Sequence, residues 1–160
     1  MPSDPPLRPS RWVKKLLRRR HMGIYRSRNP EIWRQVQPYT QCEPDSIDGT
    51  IEAVRFVLDR DIPGDLVECG AYMGGASMAM AIAALAHGGS TGEAQSRRFW
   101  VFDTFAGMPE PSSRDWRLRT GENAHRTWSR RGGTTGGGSD WCRSGVEDVR
   151  RRILSTGWPS

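Results

Sequence analysis

Between Ser46 and Arg60 the apolar residues Ile47, Ile51, Val54, Val57 and Leu58 recur at helical spacing, with acids early in the stretch. That pattern predicts an amphipathic helix burying one face. The turn pair Pro63-Gly64 ends it. The rhythm then changes. "DLVECG" (65–70) reads as a short buried strand and "MGGASMAMAIAALA" (73–86) as the helix after it. Nothing charged occurs from Ala76 to Ala86, so that helix should be buried on most sides. Residues 87–98 read as a loop, and "FWVFDTF" (99–105) as a second strand, apolar almost throughout as a parallel strand covered on both faces should be. Strand, helix, loop, strand is a βαβ unit, whose crossover should be right-handed.

The signal fades after residue 111. Residues 112–141 are polar, and glycines cluster in a loop at about 130–139 that reads as flexible. Val146, Val149, Ile153 and Leu154 mark a last helix, with Gly157 and then Pro159 as its stop. At the other end Trp12, Val13, Leu16 and Leu17 allow one or two amphipathic turns within a proline- and arginine-rich stretch. The organisation expected is a basic tail over 1–37 and, over 38–160, the N-terminal βαβ portion of a doubly wound parallel sheet, an α/β fold.

Composition narrows the partners. The chain has 160 residues, a one-domain length, and 36% hydrophobic content with 18 glycines and 11 prolines, which points to much loop. Seven tryptophans argue against a wholly disordered chain. The net charge of +6 is uneven: residues 1–28 hold nine Arg and Lys against the single acid Asp4, while the other 132 residues hold 15 basic and 17 acidic side chains. The pI near 9.9 therefore describes a tail, which argues against a nucleic-acid-reading surface on the body. The tail reads as a solvated terminus, with a tether to acidic lipid or nucleic acid as its alternative. Cys42, Cys69 and Cys142 fit neither a zinc pattern nor a disulfide framework and read as free thiols. No apolar run approaches the ~20 residues that cross a bilayer, and no signal-peptide core follows the basic start. The expectation is a cytoplasmic protein without a transmembrane segment; a homo-oligomer is left open.

The candidate chemistry lies in the glycine turn. A P-loop needs GxxxxGK[ST], and no lysine follows here. A dinucleotide fingerprint needs GxGxxG directly after the strand. Here the spacing is Glu68-x-Gly70-x-x-x-Gly74-Gly75, and Glu68 would bring negative charge towards phosphates. An acid at a strand end suits a cationic ligand better. S-adenosylmethionine has an ammonium and a sulfonium, and its carboxylate can use turn amides and the helix N-terminus. Asp103, 33 residues after Gly70, ends the second strand, where a carboxylate can accept from both ribose hydroxyls. On spacing alone, a glycine turn that merely permits tight strand–helix packing stands beside this reading. The two acids together in a βαβ frame favour the cofactor.

Three blocks, "IPGDLVECGAYMGG" (62–75), "FWVFDTFAGMPEP" (99–111) and "WCRSGVEDVRRRILSTGWP" (141–159), resemble the macrocin O-methyltransferase family (TylF/MycF type) from about Pro38 onward. The resemblance implies a Rossmann-like S-adenosylmethionine-dependent methyltransferase fold. It also implies Mg²⁺ as a second cofactor, and an acceptor hydroxyl on a sugar or other natural product. Position by position, Glu68, Gly70, Tyr72, Gly74, Gly75 and Ser77 resemble the cofactor turn, and Asp103, Thr104 and Phe105 the ribose- and adenine-side segment. Tyr72 and Met73 stand where the family often has a Trp-Arg pair. No residues of this chain are assigned to the metal, and no catalytic residue is assigned. His21, His87 and His125 are isolated in sequence and are not taken as bases. The alternatives are a truncated, catalytically inactive fragment that at most binds cofactor, and a basic adaptor acting through its N-terminus.

Overall fold

The computed structural model describes residues 26–88, 97–117, 120–133 and 138–159. The amphipathic stretch around Trp12 and Leu16, and residues 134–137 of the glycine-rich loop, lie outside them. Two compact units are formed. One comprises Arg26–Phe105 with Ser144–Ser160, and the other includes Ala106–Arg143.

In the first unit the order is α1 (Pro30–Val36), a 3-10 turn (Gln37–Tyr39), α2 (Pro44–Asp59), β1 (Leu66–Cys69), α3 (Gly75–Gly88), β2 (Phe99–Phe102) and α5 (Val146–Leu154). On α2, Ile47, Ile51, Val54 and Leu58 are buried, the face the spacing predicts. On α3, Ala79, Ala81, Ala83 and Ala84 are fully buried. Small side chains let neighbouring elements approach α3 closely on most sides. β1 and β2 pair in parallel, with Leu66 opposite Phe99 and Glu68 opposite Val101. Gly157, with φ of 92°, follows α5, and its N–H donates to the Leu154 carbonyl at 3.0 Å, the stop expected there.

Two features depart from the sequence reading. Alternation along a strand sends successive side chains to opposite faces. Phe99 and Val101 pack against the core cluster, whereas Val67, Trp100 and Phe102 are large, apolar and exposed. The expectation of a strand covered on both faces is therefore corrected: among the described residues, one face of the sheet is covered. The second departure is α1, which falls inside the stretch read as tail. Ile32 and Val36, four residues apart, are buried in the same core as α2 and α3.

The segment before α1 is fixed by a buried acid. Asp48, fully buried on α2, accepts from Ser27 Oγ at 2.8 Å, the Arg28 N–H at 2.7 Å and Asn29 Nδ2 at 2.9 Å. Removing the carboxylate leaves three part-buried donors without this acceptor. Asp48→Ala is expected to lower stability by about 2–3 kcal/mol, read as a lower urea midpoint at unchanged slope.

The second unit holds the antiparallel pair β3 (Trp116–Arg117) and β4 (Glu122–Asn123), then α4 (Ala124–Arg130). The Asn123 side chain caps α4 by accepting from the His125 N–H at 2.9 Å. Trp128, buried, donates its Nε1–H to the Met108 carbonyl at 3.1 Å. These elements lie in the region read from sequence as polar loop. Each is too short to leave a periodic trace.

Candidate functional site

The site is built where β1 and β2 end and α3 begins. Gly70 has φ of 89°, a conformation that favours glycine, and a Cβ placed on it would meet nothing within 4 Å. The space in front of the turn is open. Gly75, the first residue of α3, is needed for the opposite reason: its Cβ would lie 2.7 Å from the Tyr39 carbonyl carbon and oxygen and from Thr40 Cβ. A chain with no side chain there lets the helix start against the 39–40 backbone, its first-turn N–H groups directed out of the helix end.

Glu68 sits beneath that helix start. The fully buried Ser77 donates to it from both its hydroxyl and its backbone N–H. Burial pushes the Glu68 carboxyl above its ordinary value against the Ser77 donors, and the negative charge of Asp103 pushes the same way. The outcome is an incompletely compensated carboxylate beside an open turn, an arrangement suited to a ligand cation.

Asp103 follows β2 directly. Its Oδ2 accepts from the Ala71 N–H at 2.9 Å and the Tyr72 N–H at 3.1 Å, and its Oδ1 from the Phe105 N–H at 2.8 Å. Tyr72 and Phe105 both have positive φ, 50° and 54°. For non-glycine residues this is a sparsely populated region.

The structure thus brings Glu68, Gly70, Tyr72, Gly74, Gly75, Ser77, Asp103 and Phe105 to one end of the sheet, with Thr104 exposed between the last two. A supporting residue that the sequence did not single out is Arg152 on α5. Its Nη1 donates to the Met73 carbonyl at 3.1 Å and to Ser144 Oγ at 3.3 Å, and its guanidinium carbon stands 4.9 Å from the centre of the Tyr39 ring. The "VEDVRRRILSTGWP" block carried the only trace of it. Among the described residues Cys42, Cys69 and Cys142 form no disulfide. Among the described residues no group of three or more His, Cys, Asp or Glu side chains could hold a metal ion. A cavity of about 520 Å³ is lined by Phe99, Val101, Val149, Ile153 and Trp158, together with Arg97 and Arg150, and shares Phe105 with the site. Its walls come from two segments far apart in the chain, so no local pattern announces it.

Comparison with known proteins places these residues in a context. The family model for macrocin O-methyltransferases (TylF) matches residues 18–131. A Streptomyces olivaceus protein named 8-demethyl-8-(2,3-dimethoxy-alpha-L-rhamnosyl)-tetracenomycin-C 4'-O-methyltransferase is 44% identical over 64 residues, 40% of this chain and 23% of that protein. The demethyldecarbamoylnovobiocin O-methyltransferase of Streptomyces niveus is 37% identical over 59 residues, 37% of this chain and 21% of that protein. The match therefore spans about a fifth to a quarter of either relative's length. The solved structure of the O-methyltransferase NovP superposes with a TM-score of 0.54 at 20% identity, over 93% of this chain and 60% of that one. At that identity the likeness bears on fold, and it agrees with an α/β chain built on a parallel strand pair.

Proposed function

The chain belongs to the macrocin O-methyltransferase family, and from that membership we propose that it carries the S-adenosylmethionine-binding part of an O-methyltransferase acting on a sugar or natural-product hydroxyl. The observation that carries the reading is the half-buried Glu68 carboxylate beside the open turn at Gly70 and the N-terminus of α3. These groups fit the amino-acid end of the cofactor. Glu68 holds the ammonium, and the amides of the turn and first helical turn receive the carboxylate. Tyr72 and Gly74 belong to the turn, and Thr104 and Phe105 stand on the ribose and adenine side. When bound, S-adenosylmethionine supplies a methyl group on a sulfonium centre. The protein's own contribution is to fix the cofactor and orient it, which is where much of the rate of a transfer reaction originates. Mg²⁺, implied by the resemblance, has no ligand set among the described residues, and no step is assigned to it. Action in the cytoplasm is part of the same proposal; among the described residues no helix is long and apolar enough to cross a membrane.

A second reading, a cofactor-binding fragment without turnover, rests on the exposed apolar sheet face at Val67, Trp100 and Phe102. One experiment separates them. The protein is incubated with S-adenosylmethionine labelled in its methyl group and a panel of acceptors that includes a rhamnosyl-tetracenomycin and demethyldecarbamoylnovobiocin. Label in an extractable methyl ether supports the enzyme. Cofactor binding with no label in any acceptor supports the fragment.

A further inference from the structure

The Asp103 carboxylate is already heavily used by the protein. A carboxylate offers about four lone-pair positions. Three are taken, by the N–H groups of Ala71, Tyr72 and Phe105 at 2.9, 3.1 and 2.8 Å. Two of those donors belong to residues with positive φ, Tyr72 on the glycine turn and Phe105 after β2. Left-handed backbone at non-glycine residues persists where surrounding contacts over-determine it, and here one side chain bonds both. Between β1 and β2 the ladder continues one step past Cys69, with the Gly70 N–H donating to the Phe102 carbonyl at 2.7 Å. Beyond that step the Asp103 side chain is the link between the two segments, in place of a ladder. A ribose diol needs two acceptors, and Asp103 has one position left.

We infer that Asp103 is a positioning residue: its carboxylate clamps the glycine turn to the end of β2 in the conformation that receives the cofactor, and it offers the ribose no more than one acceptor. The clamp stands on the protein's own geometry, while the ribose half rests on the cofactor reading above. The consequence for binding is that the other ribose hydroxyl is held by a different group or by water.

The test uses the full chain, wild type and Asp103→Asn, in two measurements. Amide hydrogen exchange on the ligand-free proteins reads the clamp. The Asn amide places a donor where one N–H must be received, so exchange at Ala71, Tyr72 or Phe105 should accelerate at least about tenfold, with Ile51 and Val54 on α2 unchanged, one lost charge-assisted bond being sufficient for that factor. Unchanged exchange at all three overturns the clamp. Titration with S-adenosylhomocysteine and its 2′-deoxy and 3′-deoxy analogues reads the ribose by a double-mutant cycle. At most one of the two deletions should lose its effect in Asp103→Asn. Loss of both effects overturns the inference, because it would show two hydroxyls bound to this carboxylate. If S-adenosylhomocysteine binds neither protein, the cofactor reading fails, and the exchange data still decide the clamp. Should Asp103→Asn fail to fold, slow exchange of the Ala71, Tyr72 and Phe105 amides in the wild type supports the clamp, and exchange at the rate of exposed loop amides overturns it.

Discussion

Gly75→Ala is expected to destabilise the protein by about 2 kcal/mol and to abolish cofactor binding at concentrations that saturate the wild type. Two effects oppose one another at this position. Alanine is the better helix former by up to ~1 kcal/mol, and a first-turn position recovers only part of that. Against it, the new Cβ would stand 2.7 Å from the Tyr39 carbonyl and Thr40 Cβ, a distance real contacts do not show. The obstacle is backbone, which cannot rotate away as a side-chain tip can. Overpacking of this kind costs about 1–3 kcal/mol, so steric displacement outweighs propensity. The helix start cannot shift freely the other way either, since Gly74 lies against Val149 of α5. Urea denaturation and a cofactor titration check both halves. A variant as stable as the wild type, with intact binding, would mean that the 39–40 segment does not fix the turn.

Glu68→Gln should separate binding from folding. In the wild type the folded carboxyl titrates above its ordinary value, through burial first, with the Asp103 charge adding to it. A raised carboxylate contributes stability that is fully present below the unfolded value and is lost as pH rises through the folded one. Above that window the ionised form is a liability to the empty protein, and Glu68→Gln should be as stable as the wild type or more so. Below the ordinary carboxylate range near ~4.3 the difference should close. Cofactor affinity runs the other way. The ammonium is attracted by the ionised form, so wild-type affinity should fall as pH drops, beginning at higher pH than a free glutamate would give. The Gln variant should bind at least about tenfold more weakly at neutral pH and lose that pH dependence, as expected for removing a charged, partly buried partner. Calorimetric titration between pH 5 and pH 8 reads both. Equal affinity of the two proteins across the range would remove Glu68 from the ligand site.

How far these sites were readable in the sequence varied with the length of the elements. The helices at 44–59 and 75–88 and the strand pair were legible because their apolar spacing runs over several turns or over an uninterrupted core run. The helix Pro30–Val36 was not, since two buried residues at i and i+4 are no pattern. The short elements over 116–130 were hidden by polar composition, although Trp128 is buried among them. At the site, residue types identified the glycine turn and its acids. They could not reveal how Asp103 spends its lone pairs, because that depends on positive φ at Tyr72 and Phe105, residue types that give no hint of it. Arg152 was equally hidden, since a carbonyl 79 positions away leaves no spacing signal.

The central claim is that the turn from Gly70 to Gly75, with Glu68 beneath it, receives the cofactor. The most direct measurement is an S-adenosylhomocysteine titration of isotope-labelled protein followed by backbone amide resonances. Saturable shifts concentrated at Gly70–Ser77 and Asp103–Phe105 are predicted. Shifts centred instead on Arg97, Ile153 and Trp158 at the far side of the cavity, or no saturable shifts at all, would contradict it.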